Sequence, residues 1–241
     1  MKKIQRVLER AGPRPERFEA EAVRELEEAY RLRKTAVRAS KAGIRAVKRG
    51  NAQAVEHEKA RIQDCVQKVQ SLGLVPTWRR GEFTDQMAAE LVELAAFEWL
   101  YPYVFFGNEV SVPEVFSAEK LGVSIQAWYY GLTDVPGELG KAVVRFRRGR
   151  LSLEEKVSLR ERLLEVIQEI ISYLSDATDE NVFGITGHEK DYNRRFEGRV
   201  GKIGGLINRL NEEMIGIQGQ IQFVKEVRLA SGRPPDGEFP G

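Results

Sequence analysis

Apolar residues recur along this chain at spacings of three, four and seven, and no stretch alternates convincingly between apolar and polar; these are helical periods. They predict an all-α fold, an elongated bundle of about six or seven helices. The first helix is expected over residues 16–49, where Val23, Leu26, Tyr30, Val37, Ile44 and Val47 form a stripe with gaps at Arg33 and Ser40. Pro13 and Pro15 precede it, and Gly50-Asn51 stops it. A second helix over 52–71 carries Val55, Ala60, Ile62, Val66 and Val69 and ends at Gly73. The connection 73–81 contains Pro76, Trp78, Arg79 and Arg80, an aromatic ring and two cations that could reach a subunit surface, and its role is left open.

Thr84 reads as the N-cap of a third helix, with Asp85 in its first turn. Its surroundings are almost wholly apolar, so it should be largely buried. A short helix follows at 113–120, with Pro113 suited to its first turn. Over 124–148, Gly131, Pro136 and Gly137 interrupt helical character and predict a kink or a re-started turn. Ser152-Leu153-Glu154-Glu155 fits a capping box that opens the next helix, with a broad apolar face from Leu153 to Leu174. Residues 176–188 read as a loop. The last helix carries Tyr192, Phe196, Val200, Ile203, Ile207, Leu210, Met214, Ile217, Ile221 and Val224, a coiled-coil-like seam about 50 Å long at about 1.5 Å per residue. Past Leu229 the proline- and glycine-rich residues 230–241 are expected to be a disordered tail.

Composition narrows this little. The 241 residues are 42% hydrophobic and 31% charged, ordinary for a soluble globular protein, and no Pro-, Ser- or Gly-rich linker divides them. Residues 1–241 are therefore read as a single domain. The lone Cys65 cannot form an internal disulfide, and Met1 to Arg6 is not followed by the apolar run of a signal peptide, which points to the cytoplasm. No run approaches the roughly 18 apolar residues of a membrane span; Leu94 to Phe106 comes nearest and is broken by Glu98 and Pro102.

Charge is informative locally. The net charge is only +2, yet Arg31, Lys34, Arg38, Lys41, Arg45 and Lys48 run along one side of the first helix. No acidic residue lies between Ala29 and Val55, so these cations are expected to lack a partner on their own helix. The row extends about 25 Å and suits a phosphate backbone, although a solvated face would read the same way. Glu90 and Glu93 form one pair of acids, three apart; Asp134 and Glu138 form another, four apart, so each pair lies on one face of its helix. Anions so placed need a cation between them, and oxygen ligands from one or two carboxylates suit Mg²⁺. Glu98 faces about 80° away from Glu90 and is left out. Past Glu138, Lys141, Arg145 and Arg148 continue the acidic face as a basic one. His57 and His188 are lone imidazoles; neither has Glu three residues before it, as a ferritin-like metal bundle requires. No Gly-rich phosphate loop and no cysteine cluster is present.

Glu90-Leu91-Val92-Glu93, together with the segment Trp128 to Leu139, resembles the translin and translin-associated factor X (TRAX) family over roughly residues 81–229. It is closest to the catalytic, TRAX-like subunit of the translin–TRAX endoribonuclease, in its prokaryotic, archaeal type. That subunit carries Glu-x-x-Glu on one helix and Asp-x-x-x-Glu within Tyr-x-x-Gly-x-x-Asp-x-x-Gly-Glu-Leu on a later one. Asp134 stands where the non-catalytic subunit has an apolar residue. Trp128 replaces the tyrosine, and Pro136 departs from the family's pattern. The resemblance implies a Mg²⁺-dependent endoribonuclease, with Mn²⁺ as the alternative metal, cutting single-stranded RNA or RNA with unpaired regions. Glu90, Glu93, Asp134 and Glu138 would be its metal ligands and catalytic acids. It also implies a closed octamer around the nucleic acid, either a homo-oligomer or a hetero-oligomer with a translin-like subunit. The alternatives are a translin-like subunit that binds RNA or single-stranded DNA without cutting, and a purely structural helical scaffold.

Overall fold

The computed structural model describes residues 16–108, 117–146, 151–179 and 189–230. Among them are seven helices and no strand: α1 (Glu16–Val47), α2 (Ala52–Gln70), α3 (Thr77–Phe106), α4 (Ala118–Leu121), α5 (Ile125–Arg145), α6 (Leu153–Asp179) and α7 (Glu189–Ala230). The all-α expectation holds. No described helix is long and apolar enough to cross a membrane. The described residues cluster into two compact units, 16–101 with 117–135, and 102–108 with 136–230.

In the first unit, α1 turns back as α2 through Gly50, whose φ of +67° is a left-handed conformation that glycine adopts without strain. Asn51 caps α2, accepting from Ala54 N at 3.0 Å. At the far end Glu25 Oε2 accepts from Leu74 N at 2.7 Å, so the two helices are antiparallel. The buried face of α1 lies one residue earlier than the large apolar residues indicate. Ala22, Leu26, Ala29, Ala36, Ala39, Ser40 and Ile44 are buried, while Val23, Tyr30 and Val37 are only half-buried. Small residues win this face because they let backbones approach. A Cβ added to Gly43 would stand 2.5 Å from Leu94 Cδ2.

The start of α3 corrects the expected loop. Residues 77–83 are already helical, and Thr84 lies inside the helix rather than at its cap. The cations expected at the surface are what anchor this extra turn. Arg80 donates to Leu72 O at 2.9 Å. Arg79 donates to Tyr30 Oη at 2.7 Å, pairs with Glu82, and packs within 5.8 Å of the Tyr30, Trp78 and Phe83 ring centres. Tyr30–Phe83, Ser40–Glu93 and Lys48–Phe97 contacts rise together in number, so α1 and α3 run parallel. Phe83, Met87, Leu94 and Phe97 on α3 join Leu26, Val55 and Ile62 as the fully buried core.

α4 is a single turn capped by Ser117; residues 113–116 of the expected short helix lie outside the described residues. α5 passes through Pro136 as one helix, so no turn restarts there. In the second unit the capping box forms as read: Glu155 N donates to Ser152 Oγ at 3.0 Å and Ser152 N to Glu155 Oε2 at 2.8 Å. α6 then continues to Asp179, four residues into the expected loop, whose remainder, His188 included, is outside the described residues. Among the α7 seam residues whose side chains are described, Ile203 and Leu210 are deeply buried. Met214, Ile217 and Ile221 are half-buried, and Ile215, Phe223 and Val227 are exposed. The residues of the expected tail from 231 onward are not described.

Candidate active site

The acids of the first unit are brought together by two glycines. Gly131 on α5 faces α3, where an added Cβ would lie 2.5 Å from Val92 Cβ and 2.6 Å from Ala89 O. Nothing larger fits, so α5 lies directly against the turn of α3 that carries Glu90. The same two helices are tied upstream, where Ser124 Oγ donates to Asp85 Oδ1 at 2.6 Å while accepting from Ala127 N at 3.0 Å. Burial pushes the Asp85 carboxyl up, with the Ser124 hydrogen bond opposing. Both contacts rise in number along the chain, so α3 and α5 are parallel. Asp134, one turn past Gly131, is thereby carried towards Glu90.

On the other side Gly43 lets α1 close on α3, and one turn earlier Ser40 Oγ donates to Glu93 Oε2 at 3.3 Å. Ser40 is fully buried and Glu93 is 8% exposed. The Glu90 carboxyl is raised above its ordinary range, first by burial and second by the charge of Asp134. Hydrogen bonding with Glu93 and Ser40 and the charge of Lys41 pull it back down. Ser40, Glu93 and Thr133 are the buried polar residues among those described, and each touches or immediately precedes this site. Thr133 Oγ1 donates to Tyr130 O at 2.7 Å, in the turn of α5 just before Asp134.

Oxygen donors from two helices, partly buried and mutually repelling, fit a hard divalent cation in kind. They are not arranged as a finished ligand set. Among the described residues no group of three or more Asp, Glu, His or Cys side chains is placed to hold a metal ion. Glu93 is turned towards Ser40, so joining a ligand set requires side-chain rotation.

The remaining predicted residues divide clearly. Glu138 lies on α5 one turn past Asp134, in the second unit, and its Oε1 accepts from Lys141 Nζ at 2.7 Å. Lys141 is therefore an ion-pair partner of a predicted acid rather than an open extension of the basic face. Arg145 is exposed in the last turn of α5, and Arg148 is outside the described residues. Glu98 is held by Lys59 of α2 at 2.5 Å, which explains its separation from the acids.

On α1, Lys34, Arg38, Lys41 and Arg45 are exposed as the row predicts. Arg31 departs from it: Glu28, one residue before the acid-free stretch, takes its guanidinium at 2.7 Å. Lys48 departs too, being half-buried with its ammonium 5.2 Å from the Phe97 ring centre. His57 is exposed on α2. Two clefts, about 490 and 300 Å³, are lined by second-unit residues around Phe146 and Leu159 and by none of the predicted acids.

Sequence reasoning missed Ser40, Gly43 and Arg79. Ser40 was visible as a gap in an apolar stripe, and a small polar residue there is the signature of a buried hydroxyl with a partner. Arg79 carried no such signal.

The sequence matches no protein-family model and no curated protein. Solved structures do match. AfC3PO in complex with duplex RNA aligns over 81% of this chain and 90% of its own, with a TM-score of 0.55 and 21% identity. A crystal structure of AfC3PO aligns over 80% of this chain and 90% of its own, with a TM-score of 0.54 and 20% identity. Apo-NeC3PO aligns over 83% and 91%, with a TM-score of 0.52 and 15% identity. At these identities the likeness is one of fold, and the chain has the translin-like fold of C3PO.

Proposed function

We propose that this chain is a Mg²⁺-dependent endoribonuclease that cuts single-stranded RNA or RNA with unpaired regions, within a translin-like oligomer in the cytoplasm. One observation carries the reading: Glu90, Glu93 and Asp134 gather on α3 and α5 beside the exposed cations of α1, with Ser40 and Lys41 linking the two. The fold shared with AfC3PO, whose structure contains duplex RNA, supports a nucleic-acid ligand. An octamer enclosing RNA, alone or with a translin-like subunit, is the proposed assembly, and the exposed Ile215, Phe223 and Val227 of α7 offer apolar surface for it.

Glu90, Glu93 and Asp134 would hold the metal. A bound Mg²⁺ would neutralise charge on the phosphoryl oxygens and acidify the attacking water. The chain's own contribution is positioning. Lys34, Arg38, Lys41 and Arg45 neutralise RNA phosphates along α1, and Lys41 stands where that row passes Glu90, so a strand following the row is led to the acids. The apolar walls around Glu93 strengthen its interaction with any bound cation by excluding water.

A second reading, a translin-like subunit that binds RNA or single-stranded DNA without cutting, is favoured by the absence of a finished three-acid ligand set among the described residues. Labelled single-stranded RNA incubated with Mg²⁺ or excess EDTA, with wild type and the Asp134→Asn and Glu93→Gln variants, separates them. Cleavage that needs Mg²⁺ and disappears in both variants while RNA binding persists supports the nuclease. Binding without metal-dependent cleavage supports the second reading.

A further inference from the structure

We infer that Trp78 is a stacking platform for an unpaired nucleobase, set at the amino-terminal end of the exposed cations of α1; this rests on the RNA-binding reading proposed above. Among the side chains described in the first unit, Trp78 is the one exposed aromatic. It is 44% exposed, whereas Phe83 and Trp128 are 2% and 5% exposed. Its neighbours hold it in place. Arg80 donates to Leu72 O at 2.9 Å and to Gln70 O at 3.4 Å, which ties the first turn of α3 to the end of α2. Arg79 lies with its guanidinium carbon 5.7 Å from the Trp78 ring centre and donates to Tyr30 Oη at 2.7 Å. The indole therefore rests against a cation that α1 itself holds, on a helix pinned at both arginines, and has little freedom to lose when a ligand arrives.

The place of this ring relative to the cations is what assigns it a nucleobase. Tyr30, to which Arg79 is bonded, precedes Lys34 by one turn on the same side of α1. Lys34, Arg38, Lys41 and Arg45 continue that side, and all four are exposed. Trp78, Arg79 and Tyr30 thus prolong the row beyond Lys34, with rings where the row itself has only cations. Cations meet phosphates, and a duplex and a single strand both present phosphates, so the row alone has no means of preferring unpaired RNA. An exposed ring supplies that preference. The bases of a duplex are already stacked inside their helix, whereas an unpaired base can be laid on an indole, whatever its sequence.

The test is binding of the full chain, in EDTA so that nothing is cut, to an unstructured single-stranded RNA and to an RNA duplex of the same length, over a series of salt concentrations. Trp78→Ala should bind the single strand about 10-fold more weakly and the duplex as wild type does. Its slope of log affinity against log salt should stay at the wild-type value, because a ring releases no counterions, whereas Lys34→Ala should lower that slope by about 0.7. Trp78→Phe, which keeps a ring, should recover most of the lost affinity. Trp78→Leu, apolar without a ring, should behave as Trp78→Ala and carries the test if that variant does not fold. Single-strand affinity unchanged in a folded alanine or leucine variant overturns the stacking role and leaves RNA binding standing. Equal losses for single strand and duplex, or no recovery with phenylalanine, overturn it too. So does a variant whose weaker binding accompanies a smaller assembly in sedimentation, since Trp78 would then be a contact between copies of the chain. No binding of single-stranded RNA by wild type overturns the RNA-binding reading itself, and this inference with it.

Discussion

Gly131 and Ala89 are so close that a methyl group on the glycine would stand 2.6 Å from the alanine's carbonyl oxygen. Because that obstacle is backbone, Gly131→Ala forces α5 off α3. The overpacking costs about 1–3 kcal/mol, against about 0.8–1 kcal/mol gained in helix propensity. Gly137, on the same helix with nothing within 4 Å, is the control: alanine there should stabilise by about 0.8–1 kcal/mol. Urea midpoints should therefore move in opposite directions. The Gly131 variant should also lose Mn²⁺ affinity, since Asp134 moves with the helix.

Glu90 has a carboxyl pKa raised by burial and by Asp134. A carboxyl raised in the folded state contributes stability below its unfolded pKa, about 4.3, and that contribution is lost as pH rises through the folded value. In metal-free buffer at pH 7, Glu90→Gln should therefore melt higher than wild type, by roughly 2–4 °C for each kcal/mol of relieved repulsion. The two curves should converge below about pH 4. Saturating Mn²⁺ should reverse the order at pH 7, stabilising wild type and not the variant. A variant that melts lower than wild type at pH 7 without metal would refute the repulsion.

Helical periods disclosed the fold because large apolar residues recur wherever a helix is buried by side-chain volume. On α1 that rule points one residue away, since its buried face is made of Ala22, Ala29, Ala36 and Gly43 and gains from backbone proximity what it lacks in volume. The acids Glu90, Glu93, Asp134 and Glu138 were legible as two spaced pairs; the fold brings the charge of Asp134 to Glu90, but among the described residues no group of three acids is placed to hold a metal ion. Ser40 was legible only as a defect in the stripe, because its partner lies 53 residues away. The early start of α3 was illegible: Pro76, Gly81 and two arginines read as a loop, and only the fold supplies Tyr30 and Leu72 O as partners for Arg79 and Arg80.

Arg79 should accordingly matter to stability more than any exposed cation of α1. Its guanidinium is half-buried among three rings, Glu82 and the Tyr30 hydroxyl, so Arg79→Ala strands a carboxylate and forfeits the ring contacts, at about 2 kcal/mol. Arg31→Ala, which breaks only an exposed pair with Glu28, should leave the urea midpoint unchanged. Equal losses in the two variants would show that the Arg79 cluster contributes nothing beyond a surface ion pair.

The basic row makes a graded prediction for RNA binding. If the strand tracks α1, each cation that neutralises a phosphate contributes about 0.7 to the slope of log affinity against log salt. Replacing Lys34, Arg38 and Arg45 together with alanine should lower that slope by about 2 while leaving Mn²⁺ affinity unchanged, because none of the three faces the acids. Arg31 should contribute less, its charge being shared with Glu28, and Lys48 should contribute almost nothing from its half-buried place over Phe97. Uniform effects along all six positions would mean that RNA senses only the net charge of the helix. Position-dependent effects, largest from Lys34 to Arg45, would mean that the strand lies along the exposed part of the row that passes Ser40 and the acids.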